Sequence, residues 1–233
     1  ETLPVMRRLL GDGSTIGVSI AYLEQPRPAG VAEAYLLAED YLNKDSSIMM
    51  LGDNLFSGGN DISRALKNFR GGAQIFAYRV NNPQEYGVIE FDKNSKPVQI
   101  MEKPTNSKSK FAIPGAYIYD SKVVDIVKNI RPSSRNELEI SDVNKAYLEL
   151  GELTVNHLSR GFVWLDIGTA ERLHEASMYI QMIEKRQGIK IGCPEEAALI
   201  RGRITPAQFK ALIDSYPKGS YREYLTMIYR ELE

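Results

Sequence analysis

Cysteine is almost missing from this chain: Cys193 stands alone among 233 residues, which excludes an intrachain disulfide. Histidine is nearly as scarce, with only His157 and His174, so no Cys/His set can build a structural zinc site. A surplus of either charge is absent too. Lys and Arg total 29 against 30 for Asp and Glu, a formal net charge of -1. A chain so balanced lacks the electrostatic footprint of a general nucleic-acid binder, and any anionic ligand must be held by a local site. No uncharged apolar run reaches the roughly 18 residues that a membrane span needs. Residues 1–10 lack the basic flank, apolar core and small-residue cleavage site of a signal peptide, and a reducing cytoplasm is the expected compartment.

What is present is the composition of an ordinary globular protein, 43% hydrophobic and 25% charged with 11 prolines and 18 glycines. The length suits one large domain or one domain with an appended piece. Helical spacing is expected from a Thr2 cap to Leu10, over Val31–Leu42, Asp61–Phe69, Lys122–Ile130 and Ile140–Leu150, and from Thr169 to a stop at Gly188. It recurs after the Thr205-Pro206 cap and over Tyr221–Leu232. Strand-like runs fall at Gly17–Gln25, Ser47–Leu51, Ala73–Val80, Tyr86–Phe91, Val98–Glu102, Ala112–Tyr119, Leu153–Leu158 and Phe162–Asp166. Of these, Ser47–Leu51 reads as a fully buried central strand. The alternation predicts an α/β fold: a sheet with an inserted run of strands, with residues 1–190 forming the core and residues 191–233 a helical C-terminal appendage.

In open α/β sheets chemistry gathers outside the carboxyl ends of strands, and two carboxylates sit there: Asp53 after Ser47–Leu51, and Asp166 after Phe162–Leu165. Either alone is an ordinary turn residue. A pair from distant strand ends suits Mg²⁺, which takes one or two protein carboxylates and completes its shell with water and substrate phosphates. Cations are the second requirement of a phosphate site. Lys103 follows a strand in Met101-Glu102-Lys103-Pro104 and offers a point charge, while Arg135, just before a helix, offers a planar bidentate fork.

Several ordered blocks carry a resemblance. They are Leu9-Leu10-Gly11-Asp12-Gly13-Ser14, Gln25-Pro26-Arg27-Pro28-Ala29-Gly30, Leu51-Gly52-Asp53-Asn54, Tyr86-Gly87-Val88, Glu102-Lys103-Pro104, Glu137 to Asn144, Trp164-Leu165-Asp166 and Cys193-Pro194-Glu195-Glu196. Over nearly its whole length the chain resembles the sugar nucleotidyltransferases, and among them the glucose-1-phosphate thymidylyltransferases. The resemblance implies a Rossmann-like nucleotidyltransferase sheet and transfer of a nucleotidyl group from dTTP to glucose 1-phosphate, giving dTDP-glucose and pyrophosphate.

Carried over residue by residue, it implies that Gln25 and the backbone near Gly30 read the thymine base, an amide being able to donate and accept. Asp53 and Asp166 would hold Mg²⁺ on the nucleotide phosphates, Lys103 and Arg135 would grip the sugar phosphate, and Glu102, Tyr86 and Gly87 would border the glucosyl ring. Cys193 is read as structural. The resemblance also implies a homotetramer, with no nucleic-acid or membrane partner. Pro114, Ile167 and Ser57 depart from the family pattern, which has Thr, Thr and Tyr there. The family's glycine-rich N-terminal loop, with its preceding strand, is absent from these 233 residues. About 55 to 60 further residues are therefore expected before Glu1, and the alternative reading is a noncatalytic sugar-nucleotide-binding or oligomerisation fragment.

Overall fold

A computed structural model of the chain describes residues 3–232. Its elements, in order, are α1 (Leu3–Leu10), a 3-10 turn (Ser14–Ile16), α2 (Glu33–Leu37), α3 (Glu39–Leu42), β1 (Ser47–Met50), β2 (Asn54–Ser57), α4 (Asp61–Asn68), β3 (Ala73–Arg79), a second 3-10 turn (Pro83–Glu85), β4 (Gly87–Phe91) and β5 (Pro97–Glu102). There follow β6 (Phe111–Ala112), β7 (Ala116–Tyr119), α5 (Val123–Asn129), α6 (Ile140–Glu149), β8 (Leu153–His157), β9 (Val163–Asp166), α7 (Ala170–Gln187), α8 (Pro194–Ile200), α9 (Pro206–Ser215) and α10 (Ser220–Arg230). The chain divides into two compact units, residues 25–176 and residues 1–24 with 177–233. That division falls elsewhere than the boundary expected at residue 190, because the second half of α7 groups with the C-terminal helices and the N-terminal segment.

Within the larger unit a seven-stranded sheet runs β1-β7-β3-β6-β4-β5, with β8 also paired to β3. The β3–β8 pair is parallel, and the other pairs in the sheet are antiparallel. Ala73 to Ala77 of β3 are buried on both faces. Ile75 and Ala77 pack with Tyr117, Tyr119, Val123, Val127, Val143 and Tyr147 on the face covered by α5 and α6, whereas Phe76 meets Ala116, Ile118 and Ala65 of α4 on the other. A strand covered on both sides has no polar face to expose, and the one polar side chain buried in it, Gln74, accepts from Asn156 Nδ2 at 3.1 Å.

Four expectations need correction. Ser47–Leu51 is not a central strand. Among the described residues β1 pairs with β7 alone, and Ile48 and Met50 are exposed; an apolar run identifies a strand without fixing its rank in the sheet. Residues 18–25, most of the strand expected over Gly17–Gln25, join no ladder among the described residues. The helix expected over Val31–Leu42 is two short ones that meet at Ala38. Ala112–Tyr119 is broken where Pro114 has no N–H to give to a ladder, leaving β6 and β7. The Thr2 cap lies outside the described residues, and β2 and α8 had no counterpart in the sequence reading.

In the smaller unit α8, α9, α10 and the first 3-10 turn enclose Phe209, Leu225, Ile213 and Cys193. Thr205 caps α9 with the reciprocal bonds of a capping box: its hydroxyl accepts the Gln208 N–H at 3.2 Å and its own N–H donates to Gln208 Oε1 at 2.8 Å. Gly188, at φ 72°, ends α7 as expected.

Candidate active site

Two ladders build the site, both in the larger unit. In the first, β2 pairs antiparallel with β9 and sets Asn54 opposite Asp166, while the Ile167 N–H donates to the Asp53 carbonyl at 2.7 Å. In the second, β4 pairs with β5 and sets Gly87 opposite Glu102. The two ladder ends face a cleft of about 290 Å³ lined by Asp53, Tyr86, Gly87, Glu102, Lys103, Arg135 and Asp166, together with Asn54, Glu85, Gly115, Glu137, Glu139, Ser141, Asn144 and Trp164. Residues expected at the metal, the sugar phosphate and the sugar ring are thus brought together in one depression. Gln25 and Gly30 are not on its wall.

Asn54 joins the parts. Its Oδ1 accepts the Trp164 indole N–H at 2.6 Å and the Gly115 N–H at 3.0 Å, and its Nδ2 donates to Asp53 Oδ1 at 2.7 Å. A Cβ on Gly115 would stand 2.7 Å from Leu51 and 2.8 Å from Asn54 Oδ1, so glycine is what lets this backbone come so close. Trp164, buried, packs its ring 5.0 Å from Tyr86 and 5.6 Å from Tyr78. It supports Tyr86 from behind.

Asp53 is exposed, whereas Asp166 is partly buried. Asp166 Oδ1 accepts the Gly168 N–H at 3.1 Å and Oδ2 accepts from Arg172 Nη1 at 2.7 Å. Burial pushes the Asp166 carboxyl above the usual carboxylate range, against the Gly168 N–H; the charge of Asp53 pushes it further up and that of Lys103 pulls it down. Two carboxylates that feel each other in this way favour a cation between them.

Lys103 sits at φ 42°, in the left-handed region, with its N–H bonded to the Tyr86 carbonyl at 3.0 Å. That conformation costs roughly 1–2 kcal/mol for a residue with a Cβ, and it turns the chain out of β5 at the cleft. Arg135 lies on the opposite side in a fork with Glu139, both oxygens at 2.9 Å, and 3.4 Å from Glu137. Glu102 accepts a hydrogen bond from the Ser141 hydroxyl. A Cβ on Gly87 would press on both, at 3.2 Å from Glu102 Oε2 and 3.3 Å from Ser141 Oγ.

The cleft wall carries six carboxylates (Asp53, Glu85, Glu102, Glu137, Glu139 and Asp166) against two cations, Lys103 and Arg135. Polyanionic substrates would enter such a field only with added positive charge. Among the described residues no group of three or more His, Cys, Asp or Glu side chains forms a metal cage. Two carboxylates with an open side fit a hard divalent ion that draws its other ligands from water and phosphate, as Mg²⁺ does.

Gln25 is engaged locally: its Nε2 donates to the Gly30 carbonyl at 3.2 Å and to Glu33 Oε2 at 2.6 Å. Gly30, at φ 101°, backs onto Leu138, whose carbonyl would lie 2.3 Å from an added Cβ. Sequence reasoning missed Asn54, Glu85, Ser141 and Arg172. Asn54 follows Asp53 within a quoted block and could have been found there; Arg172 lies in the first turn of a helix and gave no signal.

A family model described as nucleotidyl transferase matches residues 1–182. The glucose-1-phosphate thymidylyltransferase of Neisseria meningitidis serogroup A is 42% identical over 97% of this chain and 79% of its own length. That of Mycolicibacterium smegmatis is 44% identical over 97% and 78%. A 2.76 Å crystal structure from Bacillus anthracis, provisionally assigned as a glucose-1-phosphate thymidylyltransferase and solved with sucrose, superposes with a TM-score of 0.71 at 35% identity, over 82% of this chain and 75% of that one. The chain belongs to the nucleotidyl transferase family and is similar, over nearly all of its length, to the glucose-1-phosphate thymidylyltransferases within it.

Proposed function

We propose that this protein forms dTDP-glucose and pyrophosphate from dTTP and glucose 1-phosphate, with Mg²⁺. The observation that carries the proposal is the meeting of Asp53, Asp166, Lys103 and Arg135 on one cleft in a chain 42–44% identical to thymidylyltransferases.

In the reaction a phosphate oxygen of glucose 1-phosphate attacks the α-phosphorus of dTTP. The bond from that phosphorus to the oxygen bridging it to the β-phosphorus breaks, and pyrophosphate leaves with the electron pair. No protein nucleophile is needed, so the side chains act by alignment and charge. Lys103 and Arg135 hold the sugar phosphate, Arg135 exchanging its Glu139 fork for the incoming phosphate. Glu102, fixed by Ser141, accepts from a sugar hydroxyl, and Gly87 and Tyr86 border the ring. Asp53 and Asp166 would hold Mg²⁺, which when bound supplies positive charge to the nucleotide phosphates. Gln25, turned from Glu33, and the backbone near Gly30 would read the base.

Exposed Met178 and Met182 on α7 and Ile200 on α8 form apolar surface consistent with a closed homotetramer. Among the described residues no helix is long and apolar enough to cross a membrane. A panel of nucleoside triphosphates and sugar 1-phosphates, read by pyrophosphate release, tests the assignment. The highest kcat/KM is expected for dTTP with glucose 1-phosphate, and a preference for another pair would replace it.

A further inference from the structure

The first turn of α7 delivers Arg172 to Asp166, whose carboxylate lines the cleft. Thr169 Oγ1 accepts the Arg172 N–H at 3.2 Å, which caps the helix and sets where the guanidinium departs from it. Nη1 donates to Asp166 Oδ2 at 2.7 Å and Nη2 to Glu85 Oε2. Its Cζ lies 5.5 Å from the centroid of the Tyr86 ring. One planar cation thereby ties a strand-end carboxylate, the 3-10 turn at the rim and an aromatic of the sugar site, a combination that suits Arg and not Lys.

We propose that Arg172 is a positioning residue that acts as a built-in counter-cation to the Asp53–Asp166 pair and gives up Asp166 Oδ2 when a divalent ion arrives. The inference rests on the reading of Asp53 and Asp166 as metal carboxylates. Its physical basis is charge. Asp166 is partly buried beside a second carboxylate on a wall rich in acid, so it needs a positive neighbour before any ligand is present. Oδ1 is already directed by the Gly168 N–H, which leaves Oδ2 as the oxygen that Arg172 and a metal both seek. Two cations on one carboxylate oxygen repel, and in a site where the Arg172 side chain is only 26% exposed water screens that repulsion weakly. Entry of the ion therefore frees the guanidinium and loosens its hold on Glu85 and Tyr86, coupling metal arrival to the turn that borders the sugar.

The probe is Mn²⁺ alone, titrated into the protein with free Mn²⁺ read by electron paramagnetic resonance and the single tryptophan, Trp164, read by fluorescence. Arg172→Met removes the competing charge at similar length. It is expected to tighten Mn²⁺ binding by about 5- to 10-fold, the low end of the range for coupled sites. It is also expected to abolish the fluorescence change that Mn²⁺ causes in the wild type through Tyr86. Arg172→Lys keeps the charge but loses the fork, and should fall between the two; it carries the test if the Met variant fails to fold. Unchanged or weaker Mn²⁺ binding in these variants, with binding abolished in Asp166→Asn, overturns the role of Arg172 and leaves the metal reading standing. Mn²⁺ binding that survives intact in Asp166→Asn overturns the metal reading and this inference with it.

Discussion

The Asp53 carbonyl accepts the Ile167 N–H at 2.7 Å, so the backbone itself fixes the spacing of the two carboxylates, Asp53 just before β2 and Asp166 at the end of β9. Their proximity does not depend on either side chain. Replacing each by its amide should then remove charge and leave the ladder in place.

On that basis Asp53→Asn and Asp166→Asn should each lower kcat by about 100-fold or more, the scale seen when one transition-state contact is removed. Asp53 is exposed, and its amide variant should keep stability within about 0.5 kcal/mol of the wild type. Steady-state kinetics with thermal melts check both, and near-normal turnover in either variant would remove that residue from the site.

Lys103→Ala and Arg135→Ala should weaken glucose 1-phosphate by about 1.5 to 3 kcal/mol, the worth of a hydrogen bond to a charged group, with a smaller effect on dTTP. Arg135 must leave Glu139 to reach the sugar phosphate, so Glu139→Gln should lower KM for glucose 1-phosphate. Equal effects on both substrates would mean that these residues support the fold instead.

Gly115→Ala tests the Asn54 joint. The added methyl would meet Leu51 and Asn54 Oδ1 well inside contact distance and break the bonds to Trp164 and the Gly115 N–H. A loss of about 1–3 kcal/mol is expected, typical for overpacking, with a red shift of Trp164 emission as its indole N–H turns to water. An unperturbed spectrum would contradict the joint.

Acid should act on the smaller unit through Glu195. Burial raises its carboxyl, but the hydroxyls of Tyr216 (2.5 Å) and Tyr221 (2.6 Å) donate to it and outweigh burial, so its pKa lies below the ordinary 4.5. A carboxyl depressed by folding adds stability that is complete above the unfolded value and disappears as pH falls through the folded one. Thermal melts from pH 7 to pH 3 should therefore fall steeply below about pH 4.5, and less steeply in Glu195→Gln. Equal slopes would assign the acid sensitivity to other groups.

Much of the fold was legible because its signals are local. Thr205-Pro206 caps one helix and Gly188 stops another, each through chemistry contained within a few residues. Ser47–Leu51 was misplaced at the centre of the sheet because rank in a sheet depends on partners far away in sequence. Asp53, Asp166, Lys103 and Arg135 could be picked out from strand ends and family blocks, yet their convergence depends on the β2–β9 ladder, and β2 gave no strand signal of its own. Arg172 could not be found at all. A charged residue in the first turn of a helix looks like any solvated one until the fold sets a carboxylate beside it.

Phosphorus NMR of the protein with dTTP, glucose 1-phosphate and Mg²⁺ tests the central claim most directly. The account predicts that the γ-phosphate resonance of dTTP declines while pyrophosphate and the diphosphate of dTDP-glucose rise one for one, and that Asp166→Asn stops both. Release of inorganic phosphate in place of pyrophosphate, or an unchanged spectrum from folded protein, would contradict it.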